Sequence, residues 1–93
     1  WQSVAVSDTD FTVFVHAVDP KGLLSAQSDS QPMAGAYPTS LWMQSEFIAD
    51  SHTFTLPPGE YSLSLGMYLA TTGERLLLRD GNDAVHIPAV IVP

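Results

Sequence analysis

The chain has 93 residues, a mass of 10.0 kDa and a formal net charge of −7. This length predicts one domain over residues 1–93, and a content of 45% hydrophobic and 14% charged residues excludes a disordered chain. Three basic residues against ten acidic ones argue against nucleic acid or anionic lipid as a partner, and the lack of cysteine excludes disulfides, thiolate metal sites and cysteine nucleophiles.

The first half of the chain alternates strand-like runs with turns. Residues 1–6 are predicted to end a strand, and residues 11–18 are rich in the β-branched and aromatic residues typical of a strand. Residues 19–22 (Asp-Pro-Lys-Gly) predict a tight turn, after which the chain returns over residues 23–28. Residues 29–40 contain two prolines and a glycine, so we expect a loop, then a short turn at 41–43. One long strand or two shorter strands are predicted over residues 46–56.

The second half begins with the clearest strand signal. From Tyr61 to Leu69 large apolar residues occupy the odd positions and Ser, Gly or Tyr the even ones, which predicts one apolar and one polar face of an antiparallel sheet. A tight hairpin leads to a return strand over residues 76–79, and residues 80–83 form a further turn. The last strand, residues 85–92, contains Pro88, which predicts an edge position or a bulge because proline cannot donate to a ladder.

Short strands separated by frequent turns predict an all-β fold, an immunoglobulin/fibronectin III-like antiparallel β-sandwich of about seven strands. Tyr61 adds to this prediction. It follows Pro57-Pro58-Gly59-Glu60, and a tyrosine just after such a turn is typical of the tyrosine corner, in which the hydroxyl bonds to backbone a few residues upstream.

No motif of a catalytic or metal centre is present in the sequence. There is no nucleophile elbow and no HExxH helix, and His16, His52 and His86 lie far apart in predicted strands. We therefore predict no catalytic residue, no metal site and no cofactor. A small metal-dependent enzyme is the least favoured alternative, since it requires at least two of these histidines to converge.

The aromatic residues are the best candidates for ligand binding. Tyr37 and Trp42 flank the predicted loop, and Tyr68 lies on the strand face opposite the predicted core. Exposed rings stack on the apolar faces of sugars, and Asp29 or Glu46 would accept hydrogen bonds from sugar hydroxyls. The alternative interpretation is that Trp42 fills the core and Tyr37 anchors the loop.

A wider set of residues resembles a known family. The set is Phe11-Thr12-Val13-Phe14-Val15-His16, Val18-Asp19, Asp29, Pro32, Gly35, Tyr37-Pro38-Thr39-Ser40, Trp42, Glu46, Asp50, Leu56-Pro57-Pro58-Gly59, Tyr61, Gly66, Tyr68 and Thr72-Gly73-Glu74-Arg75-Leu76. In this order it resembles the uncharacterised β-sandwich module in the tails of bacterial polytopic membrane proteins, many of which look like mannosyltransferase-type glycosyltransferases.

The resemblance implies an extracytoplasmic accessory module, in the periplasm or at the cell surface, tethered through a parent protein. It carries over no catalytic residue. Because the chain starts at Trp1 without Met, we interpret it as a fragment. Such modules usually have one or two strands before this position, and without them an open sheet edge would pair with another copy in a homodimer.

The favoured hypothesis is thus a non-catalytic accessory or interaction module of a larger cell-envelope protein, with a protein or carbohydrate partner and no membrane insertion of this segment. The alternative is a carbohydrate-binding module that uses Tyr37, Trp42 and Tyr68 with Asp29 and Glu46.

Overall fold

In the computed structural model, which describes residues 1–3 and 5–93, the chain forms a four-stranded antiparallel sheet with strand order β2-β1-β3-β4. No helix in this described part is both long and apolar enough to cross a membrane. The four antiparallel strands confirm the predicted all-β class. The strands are β1 (Thr12–Val18), β2 (Leu24–Ser30), β3 (Gly59–Tyr68) and β4 (Val85–Val92), and two 3₁₀ turns cover Pro32–Gly35 and Thr39–Leu41.

The β1–β2 hairpin forms where the sequence predicts it. One carboxylate oxygen of Asp19 accepts the backbone N–H groups of Lys21 and Leu23, both at 2.9 Å, and Gly22 has the positive φ of +83° that the turn requires. β2 continues to Ser30, past the predicted end at residue 28. The predicted loop after it contains the two short 3₁₀ turns.

The register of β1 and β3 defines two faces of the sheet. Val13 pairs with Met67 and Val15 with Leu65 on what we call the inner face. Phe14 pairs with Gly66 on the outer face. On the inner face, Val13 and Met67 form the core with Trp42 and Ile48, and four partly buried residues pack against it: Trp1, Phe11, Val15 and Tyr37.

The outer face carries a second, smaller core around Phe14, whose exposed fraction is 1%. The Arg75 guanidinium carbon lies 4.4 Å from the Phe14 ring centroid, and the His16 and Tyr68 rings are at 4.9 and 6.2 Å. Gly66 is buried beneath the Phe14 ring. The prediction that this side of β3 is polar is therefore wrong at Gly66, because an aromatic side chain of the neighbouring strand needs the space.

Pro88 lies in the edge strand β4, as predicted. The β3–β4 register shifts between Tyr61 and Leu63, which face Val90 and Ile87, so β4 holds one extra residue there. Ala89 adopts φ +59° within this bulge. The bulge follows from the missing N–H of Pro88.

Two other predicted strands lack ladders. Over residues 46–56 a single isolated bridge forms, between Phe47 and Gln2, so the strand prediction there is wrong within the described residues. The predicted return strand at 76–79 is reduced to a bridge between Tyr68 and Arg75, flanked by bonds from Leu76 N–H to Met67 C=O and from Leu69 N–H to Glu74 C=O. The predicted strand end at 1–6 includes Val4, which lies outside the described residues.

The predicted tyrosine corner is confirmed by the hydroxyl of Tyr61, which donates to the carbonyl oxygen of Pro57 at 2.8 Å. Tyr61 is buried. We expect Tyr61→Phe to lower the free energy of unfolding by about 1–2 kcal/mol, because it removes this bond and leaves a partly buried carbonyl unpaired. Urea unfolding measures the change. A Tyr61→Phe variant as stable as the wild type would contradict the assignment.

Candidate interaction site

The five residues predicted to bind a ligand fall into two groups in the structure. Tyr37, Trp42 and Glu46 meet beside the inner core. Tyr68 and Asp29 meet on the outer face, where the Tyr68 hydroxyl donates to Asp29 Oδ2 at 2.8 Å. The structure thus provides two separate clusters rather than one aromatic site.

Trp42 is a core residue, which is the alternative that the sequence left open. Its exposed fraction is 7%, its ring packs with Val13, Ile48 and Met67, and its indole N–H donates to the Tyr37 carbonyl at 2.9 Å. Both the ring and its polar atom are used within the protein. Trp42 therefore offers no free face for stacking on a sugar.

Glu46 organises the segment that follows Trp42. Its Oε1 accepts the Tyr37 hydroxyl at 2.6 Å and the Met43 backbone N–H at 2.9 Å, while Glu46 N–H donates to Met43 C=O at 3.1 Å. Ser45 adopts φ +66° in the resulting turn, and its N–H donates to Ser3 C=O at 2.7 Å. Hydrogen bonds with Tyr37, Met43 and Ser3 therefore hold this turn in place.

This segment, residues 41–47, presents large apolar side chains to solvent, and we call it the apolar turn. The exposed fractions are 59% for Leu41, 70% for Met43 and 78% for Phe47. Sequence reasoning missed these residues, because the run Leu41-Trp42-Met43 does not reveal which member is buried. In the structure, Trp42 is the buried member and its two neighbours are exposed.

The Glu46 contacts predict acid sensitivity. The Met43 N–H bond, followed by the Tyr37 hydroxyl bond, lowers the pKa of the Glu46 carboxyl below its ordinary value of 4.5. A pKa lowered in the folded state gives stability that is complete above the unfolded value and is lost as pH falls through the folded value. We therefore expect the free energy of unfolding to decrease as the pH falls below 4.5.

Glu46→Gln tests this prediction, because it removes the titrating carboxyl. We expect the variant to be less stable than the wild type at neutral pH and to lose the Glu46 part of the acid-dependent slope. Tyr37→Phe removes one of the two donors and should retain part of that slope. Urea unfolding across the acidic range measures both variants, and an unchanged slope in Glu46→Gln would contradict the role of Glu46.

The second cluster lies on the outer face beside the Phe14 core. Asp29 Oδ1 is 3.9 Å from His16 Nε2, and both side chains are about one quarter exposed. The Asp29 hydrogen bond raises the pKa of the Tyr68 hydroxyl. A partly exposed aromatic ring and a carboxylate acceptor therefore lie side by side here.

His52 belongs to a third, buried group of polar side chains. Its Nδ1 lies 2.9 Å from Ser28 Oγ and its Nε2 lies 2.8 Å from Asp50 Oδ2, with side-chain exposures of 8% for His52 and 2% for Asp50. The other Asp50 oxygen accepts Met33 N–H at 2.8 Å. These bonds fasten the segment after the apolar turn to β2 and to the first 3₁₀ turn.

None of the side-chain clusters that the structure describes is a metal centre. Among residues 1–3 and 5–93, no group of three or more His, Asp or Glu side chains is placed to hold a metal ion. An apolar cavity of about 330 Å³ borders the inner core, lined by residues that include Trp1, Phe11, Trp42 and Met67. The hydroxyls of its wall residues Ser3, Ser7 and Thr39 each donate to a backbone carbonyl of the chain, so they are not free to donate to a ligand.

Comparisons with protein-family models, with curated proteins and with solved structures gave no match.

Proposed function

We propose that this chain is a non-catalytic interaction module, an accessory domain of a larger bacterial cell-envelope protein. The observation that carries the proposal is the exposure of Met43 and Phe47, at 70% and 78%, on a turn held by Glu46. Single exposed apolar residues are ordinary, but several on one hydrogen-bonded turn form a surface whose backbone loses little conformational entropy on binding. Methionine and phenylalanine are also enriched at protein interfaces.

The proposed architecture is an immunoglobulin-like β-sandwich in which the four-stranded sheet is one layer. Two observations support it. Ile48, which follows the apolar turn, packs on the inner face, and Tyr61 makes the corner hydrogen bond found in such sandwiches. The sequence resemblance supports an extracytoplasmic position, with the module tethered through its parent protein.

Photocrosslinking from the apolar turn tests the proposed function. A photoreactive residue at Met43 or Phe47 is expected to give a discrete protein adduct in intact bacterial envelopes, whereas the same residue at exposed Leu24 on β2 gives none. Excess purified domain should compete, and its Met43→Ser/Phe47→Ser variant should compete at least about tenfold more weakly. Equal competition by both proteins, or a turnover reaction by the purified domain, would contradict the proposal.

A second candidate function is carbohydrate binding at the outer-face cluster. It is favoured by the pairing of Tyr68 and Asp29, in which a partly exposed ring lies beside an acceptor that is still accessible. A glycan array with the purified domain tests it. Binding that is lost in Tyr68→Ala and kept in Tyr37→Phe would support this site, whereas an array without binding at high protein concentration would reject it.

A further inference from the structure

The buried polar group around His52 places a serine, a histidine and an aspartate in one row. Ser28 Oγ lies 2.9 Å from His52 Nδ1, and His52 Nε2 lies 2.8 Å from Asp50 Oδ2. A hydroxyl beside an imidazole that a carboxylate orients is the arrangement that activates a serine as a nucleophile. Ser28 lies on β2, whereas its two partners follow the apolar turn, so no local sequence motif predicts the row.

The extended segment after the apolar turn positions both partners of Ser28. Residues 48, 50, 52, 54 and 56 are buried or half-buried, whereas residues 49, 51, 53 and 55 are exposed. This period of two places Asp50 and His52 on the same side of the chain. Ser28 pairs with Val15 of the inner face, and side chains of directly paired residues lie on the same face of a sheet. The row therefore lies on the inner side of β2.

The carboxylate determines which nitrogen of His52 is basic. An ionised Asp50 only accepts hydrogen bonds, so His52 Nε2 carries the proton that is donated to it. In the neutral imidazole Nδ1 then has the free electron pair, and the Ser28 hydroxyl donates to it. The other oxygen of Asp50 accepts a hydrogen bond from Met33 N–H at 2.8 Å, which holds the carboxylate in this orientation. The serine proton thus points at the base that would remove it.

Ser28 and its base differ in exposure. Ser28 is half-buried on the edge strand β2, so part of its surface is open to a reactant. The His52 and Asp50 side chains are only 8% and 2% exposed, so water has little access to the imidazole. The other histidine near an aspartate, His16, is 3.9 Å from Asp29, which is too long for an orienting hydrogen bond.

We propose that Ser28 is an acyl-acceptor site, whose hydroxyl takes the acyl group of an activated ester with His52 as the general base. The bond from Ser28 Oγ to the carbonyl carbon forms, and the bond from that carbon to the leaving oxygen breaks. The hydroxyl proton passes to His52 Nδ1, and the leaving group departs as the anion. Asp50 stabilises the imidazolium, which later returns its proton to solvent.

The acyl group is expected to remain on Ser28. Deacylation would require His52 to activate a water molecule, and an acyl group on Ser28 covers the small part of the imidazole that solvent reaches. The product is a modified domain, formed once per chain without turnover. The inference therefore goes beyond the proposed interaction function and is compatible with it.

Treatment of the purified domain with p-nitrophenyl acetate at neutral pH tests the proposal. We expect one acetyl ester per chain, which peptide mass spectrometry assigns to Ser28. Lys21, the one lysine, and the amino terminus form amides instead. Hydroxylamine cleaves the ester and leaves these amides, so the two kinds of product are distinguished. Ser28→Ala should give no ester at this position.

Asp50→Asn tests the base without removing the hydrogen bonds. The amide oxygen still accepts Met33 N–H, but the amide nitrogen donates to His52 Nε2, so the ring proton moves to Nδ1 and the base facing Ser28 is lost. We expect acetylation of Ser28 to slow at least about tenfold, with little change in melting temperature. Ser30→Ala is the matched control, since Ser30 is half-buried on the same strand, and the Ser28 rate should not change.

His52→Gln removes the base directly and replaces Asp50→Asn if that variant does not fold. A wild-type domain without an ester at Ser28 overturns the proposal, as does a Ser28 rate that is unchanged in the folded variants or equal to that of Ser30. Nitrophenolate release far beyond one equivalent that is lost in Ser28→Ala would overturn it too, because the ester would not persist.

The outcomes are separate from those of the proposed function. A domain that is not acetylated at Ser28 but gives the Met43 and Phe47 adducts overturns the acyl-acceptor site alone. A domain that is acetylated once at Ser28 and gives no adduct contradicts the proposed partner surface alone.

Discussion

Replacing Phe14 with alanine is expected to lower the free energy of unfolding by about 3–5 kcal/mol. Phe14 has an exposed fraction of 1% and is the central side chain of the outer core. Its removal leaves a void between Gly66, Tyr68 and Arg75, and the Arg75 guanidinium loses the ring that it covers at 4.4 Å. Because these neighbours extend from a sheet whose other face is packed, the void can collapse only in part.

Urea unfolding of the purified variant measures this loss. Phe47→Ala is the matched control, since it deletes the same ring from a position that is 78% exposed, and we expect a change within about 0.5 kcal/mol. A small effect for Phe14→Ala would mean that the outer core does not contribute to folding. A large effect for Phe47→Ala would mean that the apolar turn is part of the core.

A single added methyl group at Gly66 is expected to be almost as damaging, with a loss of about 3 kcal/mol or failure to fold. A Cβ at this position would lie 2.7 Å from Phe14 Cζ and 2.8 Å from the Asp83 carbonyl oxygen. The Phe14 ring has no space to move because it is buried, and the second neighbour is backbone. The methyl group is therefore accommodated only by moving β3 away from both.

Gly59→Ala provides a control in the same strand. A Cβ there meets the nearest atoms of Tyr61 at 3.6 Å, which is ordinary contact, and we expect little loss of stability. Thermal melting and urea unfolding compare the two variants. If Gly66→Ala is as stable as Gly59→Ala, the close packing of Phe14 on Gly66 is contradicted.

Local chemistry accounts for the elements that the sequence predicts well. The β1–β2 turn is determined by Asp19 and Gly22. The tyrosine corner is determined by Tyr61 and the turn before it, and the β4 bulge by the missing N–H of Pro88. Each depends on residues within a few positions of one another. The alternation of residues 48–56 is equally local, and it does predict which side chains face the core.

Local sequence patterns do not determine which strands pair. A strand needs a partner, and the alternation from residue 48 onward contains no information about whether one is present. The burial of Gly66 could not be predicted either. In the sequence its small size suggests a polar face of the strand, and only the position of Phe14 on the neighbouring strand shows that it is covered. Contacts between residues about fifty positions apart decide both outcomes.

The candidate site was predictable only in part, for a similar reason. Tyr37, Trp42 and Glu46 meet, whereas Tyr68 and Asp29, which were predicted for the same site, lie together on the outer face. Their roles depend on burial, which composition does not give for a loop. Once Trp42 fills the core, its neighbours Leu41 and Met43 are exposed, and with Phe47 they form the surface of the apolar turn.

Different spectroscopic signals report on the two faces of the sheet. The chain has two tryptophans, and both pack on the inner core, whereas the outer core contains Phe14 with Tyr68 and His16 beside it. Indole fluorescence therefore follows the inner side alone, and the imidazole proton resonances of His16 follow the outer side. Coincidence of the two unfolding curves would establish that a single cooperative unit spans both sides of the sheet.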